Sequence, residues 1–292
     1  MKELKNKMRF FGFFAITLFV VSCSETEKPK EWVYQKTIKL DGINPIGIAS
    51  EKDYIWLSDG DHNRLVLIDN EGLVQKTIDS LERPMHIDFQ DGMLFVPEYG
   101  NDRVGLMYTQ VENPKPVSHE GAPITLISPD SLDAPAAISV HKEGMAIADF
   151  YNNQIWFGKD KDWISFGHEG EHEGEFYYPT DVQITDSLIW VADAYNNRIQ
   201  VFDKKGNFVK QMGKEQKMNA ATGLFVSEDE VFITDFENDR ALVFDHEGTL
   251  KQVLDEGIEK ATDIMIKDEL LHVINYRSGE LVKYELQELK AQ

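Results

Sequence analysis

The sequence predicts an all-β fold, a six-bladed β-propeller built of four-stranded antiparallel blades. One pattern occurs six times, each copy holds two short β-rich runs around a polar turn, and further runs flank each copy. The acidic or amide position that the copies share recurs after 39, 51, 44, 42 and 40 residues. Repeats of about this length are typical of propeller blades. The copies are Ile55–Asp69, Leu94–Tyr108, Ala146–Gly158, Ile189–Asp203, Val231–Asp245 and Leu271–Glu285.

The two runs inside each copy predict the middle strands of a blade. In Ile189–Asp203, Val, Ile, Trp and Phe stand on both sides of the pair Asn196 and Asn197. Branched and aromatic residues favour a pleated, half-buried surface. Asn tolerates left-handed backbone and bonds to its own main chain, as a tight turn requires. Each copy is therefore a β-hairpin.

Two further runs predict the inner and outer strands of each blade. The inner run mostly follows Pro or Ala, as in Pro179–Val182. Pro suits the first residue of a strand, where no backbone donor is needed. The outer run follows the hairpin, as in Gly206–Met212.

The chain ends predict how the ring closes. The sixth copy has three predicted strands before the chain finishes, and Trp32–Ile38 resembles the outer run Leu73–Ile78 of blade one. We expect Trp32–Ile38 to supply the missing outer strand of blade six, which protects strand edges. The propeller is predicted for residues 32–287, with a short tail at 288–292.

One segment carries a resemblance to a known family. Residues 170–203, with Gly-Glu-Phe-Tyr-Tyr-Pro179 followed by Trp190-Val-Ala-Asp193-Ala-Tyr-Asn-Asn-Arg198, resemble the NHL repeat. The resemblance extends over nearly all of residues 32–287 and is weakest in blades two and six. It implies a six-bladed propeller, in agreement with the six copies. It implies little about activity, because this fold hosts unrelated functions.

The N-terminus predicts export and a lipid anchor. Lys2, Lys5, Lys7 and Arg9 precede a 12-residue apolar run, which is too short to span a bilayer and fits a signal peptide over residues 1–22. Val20-Val-Ser-Cys23 resembles the bacterial lipobox, which implies lipid on Cys23 and a tether over residues 23–31. The alternative is an incidental cysteine. We expect a lipid-anchored protein in the cell envelope of a Gram-negative-type bacterium, at the outer membrane.

The chain is strongly acidic, with a formal net charge of −21. Without residues 1–22 it has 26 basic and 50 acidic residues, and the charge becomes −24. A field of this sign repels nucleic acid. We therefore expect no nucleic-acid partner, and we expect a monomeric propeller.

An acidic column recurs at the end of the second strand and predicts a structural role. A carboxylate at this place can accept hydrogen bonds from the turn and from neighbouring segments. Arginine recurs five residues later in four copies, and it is a natural partner for a carboxylate. The column consists of Asp59, Glu98, Asp149, Asp193 and Asp235, with Asn275 in the sixth copy.

A second column, at the start of the inner strand, contains the candidate metal ligands. Blades one, three and five have Gly47, Ala137 and Gly223, whereas blades two, four and six have His86, Asp181 and Asp263. If the column faces the central channel, one imidazole and two carboxylates can bind a divalent metal such as Zn²⁺ or Ca²⁺. The alternative is a solvated channel lining that includes a His86–Asp pair.

Aromatic residues follow the acidic column and predict a binding face. The turns that carry them should gather at one mouth of the ring, where the rings can stack on sugars or grip peptide side chains. Packing between blades is the alternative. The residues are Tyr99, Phe150, Tyr151, Tyr195, Phe236 and Tyr276.

Two functions remain open at this point. The regular repeat, the anchor and the lack of a nucleophile motif favour a non-catalytic binding or scaffold module for a protein, peptide or glycan. The alternative, implied by six-bladed relatives that hold a metal on the axis, is a metal-dependent lyase or lactonase.

Overall fold

The computed structural model describes residues 29–109, 124–125, 132–159 and 162–289. They form six four-stranded antiparallel sheets, which confirms the all-β, six-bladed propeller. The predicted signal peptide and Cys23 lie outside the described residues. In the described part of the chain, no helix combines the length and the apolar character that crossing a membrane requires.

Each blade is formed by consecutive strands, except at the closure. The strands are β1 (Lys30–Lys39); blade one, β2 (Gly47–Glu51), β3 (Tyr54–Asp59), β4 (Arg64–Ile68), β5 (Val74–Ile78); blade two, β6 (Asp88–Gln90), β7 (Met93–Glu98), β8 (Arg103–Tyr108), β9 (Ile124–Thr125); blade three, β10 (Pro135–His141), β11 (Gly144–Asp149), β12 (Gln154–Lys159), β13 (Asp162–Phe166); blade four, β14 (Pro179–Ile184), β15 (Leu188–Asp193), β16 (Arg198–Asp203), β17 (Phe208–Met212); blade five, β18 (Ala221–Val226), β19 (Glu230–Asp235), β20 (Arg240–Asp245), β21 (Leu250–Leu254); and blade six, β22 (Ala261–Lys267), β23 (Leu270–Asn275), β24 (Glu280–Glu288).

Short 3-10 helices connect the second and third strands in four blades. They leave the chain in left-handed backbone at the residue that follows, with φ between 50° and 56°. Asn and Asp occupy this residue because their short polar side chains tolerate that conformation. The helices are Gly60–His62, Tyr99–Asn101, Ala194–Asn196 and Phe236–Asn238; a further one, Lys214–Gln216, follows β17.

The N-terminal strand closes the ring as predicted. It pairs antiparallel with β24, from Lys30 opposite Glu288 to Lys39 opposite Glu280. Trp32 is 5% exposed and its ring meets Phe232 of blade five edge-on at 5.6 Å. Its indole Nε1 also donates to Glu230 at 2.9 Å. The closing strand is therefore tied to blade five as well as to blade six.

The hydrophobic core lies between neighbouring blades. Trp190 and Val201 of blade four pack in one buried cluster with Leu224 and Leu242 of blade five. Alternating side chains of each blade thus face the next blade, as the period of two predicted. Burying apolar area in this way, at about 25 cal/mol per Å², is the main stabilising contribution.

The acidic column is fully buried and carries hydrogen bonds in every blade. In blades two to six, its side chain accepts a backbone N–H from the residue 16 positions earlier. Asp193 also accepts from Asn196, Arg198 and Gln200. A buried carboxylate is tolerated only when it is bonded in this way.

The left-handed Asn and Asp residues make a second repeated tie, which joins one blade to the next. The side-chain oxygen of each accepts a backbone N–H from the segment that enters the following blade. The pairs are Asn63 with Arg83, Asp102 with Ala134, Asn153 with Tyr178, Asn197 with Ala220, and Asp239 with Lys260.

Blade two departs from the predicted pattern, because its inner strand begins at Asp88 rather than just after Pro84. In the preceding segment, Met85 still donates to the Pro97 carbonyl of blade two, but His86 pairs with blade three: its N–H donates to Ala136 at 3.0 Å, and its carbonyl accepts from Ile138 at 3.3 Å. At His86, backbone bonds to the next blade thus take the place of bonds inside blade two.

The core of blade six differs from that of the other blades at one position. The third position of the second strand is Trp56, Phe95, Ala146, Trp190 or Phe232 in the other blades and is His272 here. Its Nδ1–H donates to the Leu270 carbonyl at 3.0 Å, and its cross-strand neighbour is the buried Lys283. Burial, and then the charge of Lys283, lowers the pKa of His272 from 6.5 to about 4.

We predict that Asp193→Asn destabilises the protein strongly. The change leaves Arg198, which is itself 0% exposed, without its carboxylate. Breaking a buried pair of this kind costs about 3–5 kcal/mol. Chemical denaturation should show the loss, whereas Asp186→Asn, at a side chain that is 76% exposed, should cost less than about 1 kcal/mol. Equal midpoints for the two variants would contradict the role of the column.

We predict that His272 makes the protein less stable as the pH falls from 6.5 towards 4. In this window the unfolded chain binds a proton that the folded chain rejects, so the free energy of unfolding decreases by up to about 1.4 kcal/mol per pH unit. Denaturation of the wild type and of His272→Gln at several pH values isolates this contribution. Parallel pH curves would show that His272 does not titrate as expected.

Candidate functional site

The structure brings His86, Asp181 and Asp263 together at the ring axis. One ligand atom from each residue lies within 4.8 Å of the others. His86 Nδ1 is 3.6 Å from Asp181 Oδ2 and 3.4 Å from Asp263 Oδ2. All three residues are only 5–6% exposed, so the column is buried rather than solvated.

Both carboxylates of this axial triad also hold the ring together. Asp181 accepts the N–H of Val182 and, at 2.7 Å, the N–H of Leu224 in blade five. Asp263 accepts the N–H of Ile264 and, at 2.9 Å, the N–H of Ile48 in blade one. Each carboxylate therefore ties its blade to the next one.

Asp88 makes the corresponding tie from blade two, which sequence reasoning missed. Its carboxylate accepts the N–H of Phe89 at 2.7 Å and that of Val140 in blade three at 2.6 Å. Asp88 stands two residues after His86, on the same side of the chain, and this spacing was the available signal. Burial raises the pKa of Asp88 to about 6.

Small residues in the other blades allow these contacts. A Cβ on Gly223 would lie 2.4 Å from the Thr262 carbonyl oxygen, and a Cβ on Gly47 would lie 2.7 Å from His86 Cα. The alternation of small and polar residues in the inner column is therefore steric. Blades one and five keep Gly because the backbone of the following blade passes so close.

The charge state of His86 follows from its position between two carboxylates. Burial lowers its pKa, but the charges of Asp263 and Asp181 outweigh burial and raise the pKa from 6.5 to about 10. His86 Nδ1 nevertheless has no hydrogen-bond partner within the described residues. The arrangement suits a buried imidazolium or, with neutral imidazole, a bound cation.

A cavity of about 300 Å³ extends along the channel from the axial triad. Asp88 and Ser139 contribute polar groups to its wall, while Phe89 and Phe225 contribute apolar ones. The cavity is at the small end of the range for ligand sites.

The predicted aromatic residues divide into two groups. Tyr99, Phe150, Tyr151 and Tyr195 belong to one cluster of six rings on the face of the turns between second and third strands, with centroids 4.7–5.9 Å apart. Tyr177 and Tyr178 complete this aromatic cluster and were not predicted. They precede Pro179, and the bond from the Tyr177 N–H to Asp193 holds them there.

The cluster exposes part of its surface. Tyr195 is 60% exposed, Tyr151 50% and Tyr177 36%, while Phe150 and Tyr178 stack at 4.7 Å beneath them. Half-exposed aromatic rings on a rigid support are typical of recognition surfaces.

Phe236 and Tyr276 lie outside the aromatic cluster. Phe236 lines a second cavity on the same face, of about 380 Å³, together with Phe150 and Tyr195. The Tyr276 hydroxyl donates to Asp61 at 2.8 Å and so links blade six to blade one.

The repeat and the ring together define the class of protein. The family model described as NHL repeat matches residues 176–202, within blade four. The chain is therefore a six-bladed β-propeller that carries an NHL repeat in the region of blade four.

The curated relatives are alike over short segments only. RING finger protein nhl-1 of Caenorhabditis elegans is 35% identical over 85 residues, which covers 27% of this chain and 9% of that protein. Protein lin-41 of the same organism is 41% identical over 49 residues, or 16% of this chain and 4% of that one. The match thus spans less than a tenth of either relative.

Similar solved structures cover the ring. A streptogramin B lyase has a TM-score of 0.62 at 14% identity, covering 89% of this chain and 98% of that one. Virginiamycin B lyase from Staphylococcus aureus has a TM-score of 0.64 at 13% identity, covering 89% and 100%. Likeness at this identity establishes the shared fold.

Proposed function

We propose that this protein is a non-catalytic binding module of the cell envelope, which binds a protein, peptide or glycan on the face that carries the aromatic cluster. The observation that carries the proposal is the group of six contacting rings, three of them 36–60% exposed. Exposed apolar groups in one continuous patch mark interaction sites more often than isolated ones.

The support beneath the rings favours recognition by a rigid surface. Tyr99 and Phe150 directly follow buried column residues, and Tyr195 stands two residues after the buried Asp193. The backbone that the column holds in place therefore fixes the positions of these rings. A preorganised surface loses little conformational entropy on binding, which favours affinity.

The axial triad supports the same choice indirectly. Asp181 and Asp263 each accept two backbone N–H groups, one from the following residue and one from the next blade, and so use both carboxylate oxygens. A structural role is therefore enough to explain these two side chains, and no catalytic or metal-binding role is required. The sequence also has no nucleophile motif.

The proposed location rests on the N-terminal sequence. Lipid on Cys23, with a tether to the first strand at Lys30, would hold the ring close to the membrane surface. Attachment through several acyl chains is stable, whereas a single chain gives only reversible binding.

We predict that a photo-crosslinking residue placed at Tyr195 captures a ligand in intact cells. The same residue at Tyr108, a tyrosine 55% exposed on the opposite face, serves as the matched control. Crosslinks from position 195 alone, competed by the purified ring, would support the proposal. Equal yields from both positions would show that this face is not selective.

The same cells test the anchor. The wild type should incorporate labelled palmitate and sediment with membranes, whereas Cys23→Ser should do neither. A Cys23→Ser chain that stays in the membrane fraction would contradict a lipid anchor at that residue.

The second candidate function is a metal-dependent lyase or lactonase. Separations of 3.4–3.6 Å between His86 Nδ1 and the two carboxylates suit ligand atoms around an ion with bonds of roughly 2.1 Å. A metal held there would supply a Lewis acid for a substrate oxygen in the channel. The similar solved structures include lyases, which favours testing this candidate.

Elemental analysis separates the two candidates. A metal centre predicts about one equivalent of metal in the wild type, purified without chelator, and none in His86→Gln. His86→Gln keeps both carboxylate ties between blades, unlike a triple substitution, but it removes a buried charge, so circular dichroism must show that the variant is folded. Metal-free wild type that is fully folded would remove the enzyme candidate and leave the binding module.

A further inference from the structure

We propose that the ligand of the aromatic cluster is a cationic peptide segment, whose Lys or Arg side chains pack on Tyr151, Tyr177 and Tyr195. This inference rests on the proposed function and narrows it to one ligand class. Aromatic faces attract cations through their quadrupole, by about 0.5–2 kcal/mol each depending on desolvation.

The face already holds two cations of its own chain in this manner. The Arg83 guanidinium lies 4.8 Å from the centre of the Tyr99 ring, at one edge of the cluster. The Lys260 ammonium lies 5.8 Å from the centre of the Phe236 ring, beside the second cavity. Both contacts show that the geometry of this face accepts cationic groups over aromatic rings.

Carboxylates complete the site around Lys260. Its Nζ lies 3.1 Å from Asp239 Oδ1 and 3.4 Å from Glu237 Oε2. A ring below and carboxylates at the side form a small cation site built from this chain. The second cavity combines the same elements, since Phe150, Tyr195 and Phe236 line it together with Glu237.

The loops that border the aromatic cluster carry a large excess of negative charge. Over residues 81–84, 99–102, 132–134, 150–153, 167–178, 194–197, 213–220 and 236–239 there are ten carboxylates and three cations. Lys260, from the next loop, pairs with two of these carboxylates, Glu237 and Asp239. The carboxylates are Glu82, Asp102, Asp133, Glu169, Glu171, Glu173, Glu175, Glu215, Glu237 and Asp239; the cations are Arg83, Lys214 and Lys217.

Two of these carboxylates act directly on the cluster. Burial, and then the charges of Asp102 and Asp149, raise the pKa of Asp133, so these carboxylates lie near one another. The charge of Asp133 also acts on Tyr99, where the opposing charge of Arg83 is the stronger of the two. Burial, then Tyr177 and Glu169, raise the pKa of Tyr178. The part of the cluster around Tyr178 therefore lies in a negative potential, which favours a cation and disfavours an anion.

A cationic peptide would use both the aromatic rings and the negative charge of this face, whereas a neutral glycan would use only the rings. A neutral sugar would stack on the tyrosines but would gain nothing from the surrounding carboxylates. An anionic glycan or a nucleic acid would be repelled by them. Lys and Arg side chains use the rings and the charge together, and Arg is enriched at such interfaces.

The test is calorimetric titration of the full-length chain in detergent with short oligo-arginine, oligo-glutamate and chito-oligosaccharide probes. We expect oligo-arginine to bind, and to bind more weakly as salt rises. Tyr151→Ala/Tyr195→Ala should lose about tenfold in affinity, equivalent to about 1.4 kcal/mol. Asp133→Asn/Glu169→Gln should weaken binding and flatten its salt dependence.

The control variant is Tyr108→Ala, on the opposite face, which should bind oligo-arginine as the wild type does. If Tyr108→Ala lost as much affinity for oligo-arginine, or if Tyr151→Ala/Tyr195→Ala lost none, the binding would be explained by general charge attraction. Either result would overturn the inference. Binding of the chito-oligosaccharide alone, lost in Tyr151→Ala/Tyr195→Ala, would overturn the cationic ligand while leaving the binding module intact. No binding by any probe, together with no selective crosslink at position 195, would remove both proposals.

Discussion

The buried carboxylate at the end of the second strand, present in five of the six blades, is the interaction on which the rest of the ring depends. It is fully buried in five blades, and such a group is stable only when donors surround it. The donors come from the following turn and from the loop 16 residues earlier. This one side chain therefore sets both the turn and the loop that meet on the same face, including the loop that holds Tyr177.

The repeat made the architecture predictable, because a period near 40 residues with alternating strands leaves few other folds. The closing strand followed from a missing fourth run in blade six. Two features were beyond the pattern. Asp88 lies two residues beyond the inner column, and the bonds of His86 to blade three depend on tertiary structure that the repeat does not encode. Tyr177 and Tyr178 belong to a loop whose path depends on tertiary bonds to Asp193 and Asn153.

The side chains at the ring axis have structural roles, whereas those of the aromatic cluster are the ones proposed to bind a ligand. At the axis, polar residues alternate with small ones because every second blade reaches across to bond its neighbour, while the blade before it leaves room. The alternation of polar and small residues predicted that the polar side chains form a cluster, but it did not predict the role of that cluster. On the face, the aromatic side chains have no repeated bonding role, since the backbone and the column beneath them already complete each blade. Residues free of that structural task are the ones available for a ligand.

The pairing of β1 with β24 has a consequence for how the protein is made. The segment that this pairing encloses runs from Lys39 to Glu280, so the first strand to leave the ribosome waits for the last one. Contacts between residues so distant in sequence form slowly. Blades one to five contain their own partners and can assemble during synthesis, but the sixth cannot. Until β24 has been synthesised, the nascent ring is an open arc whose two outer edges need protection from other chains.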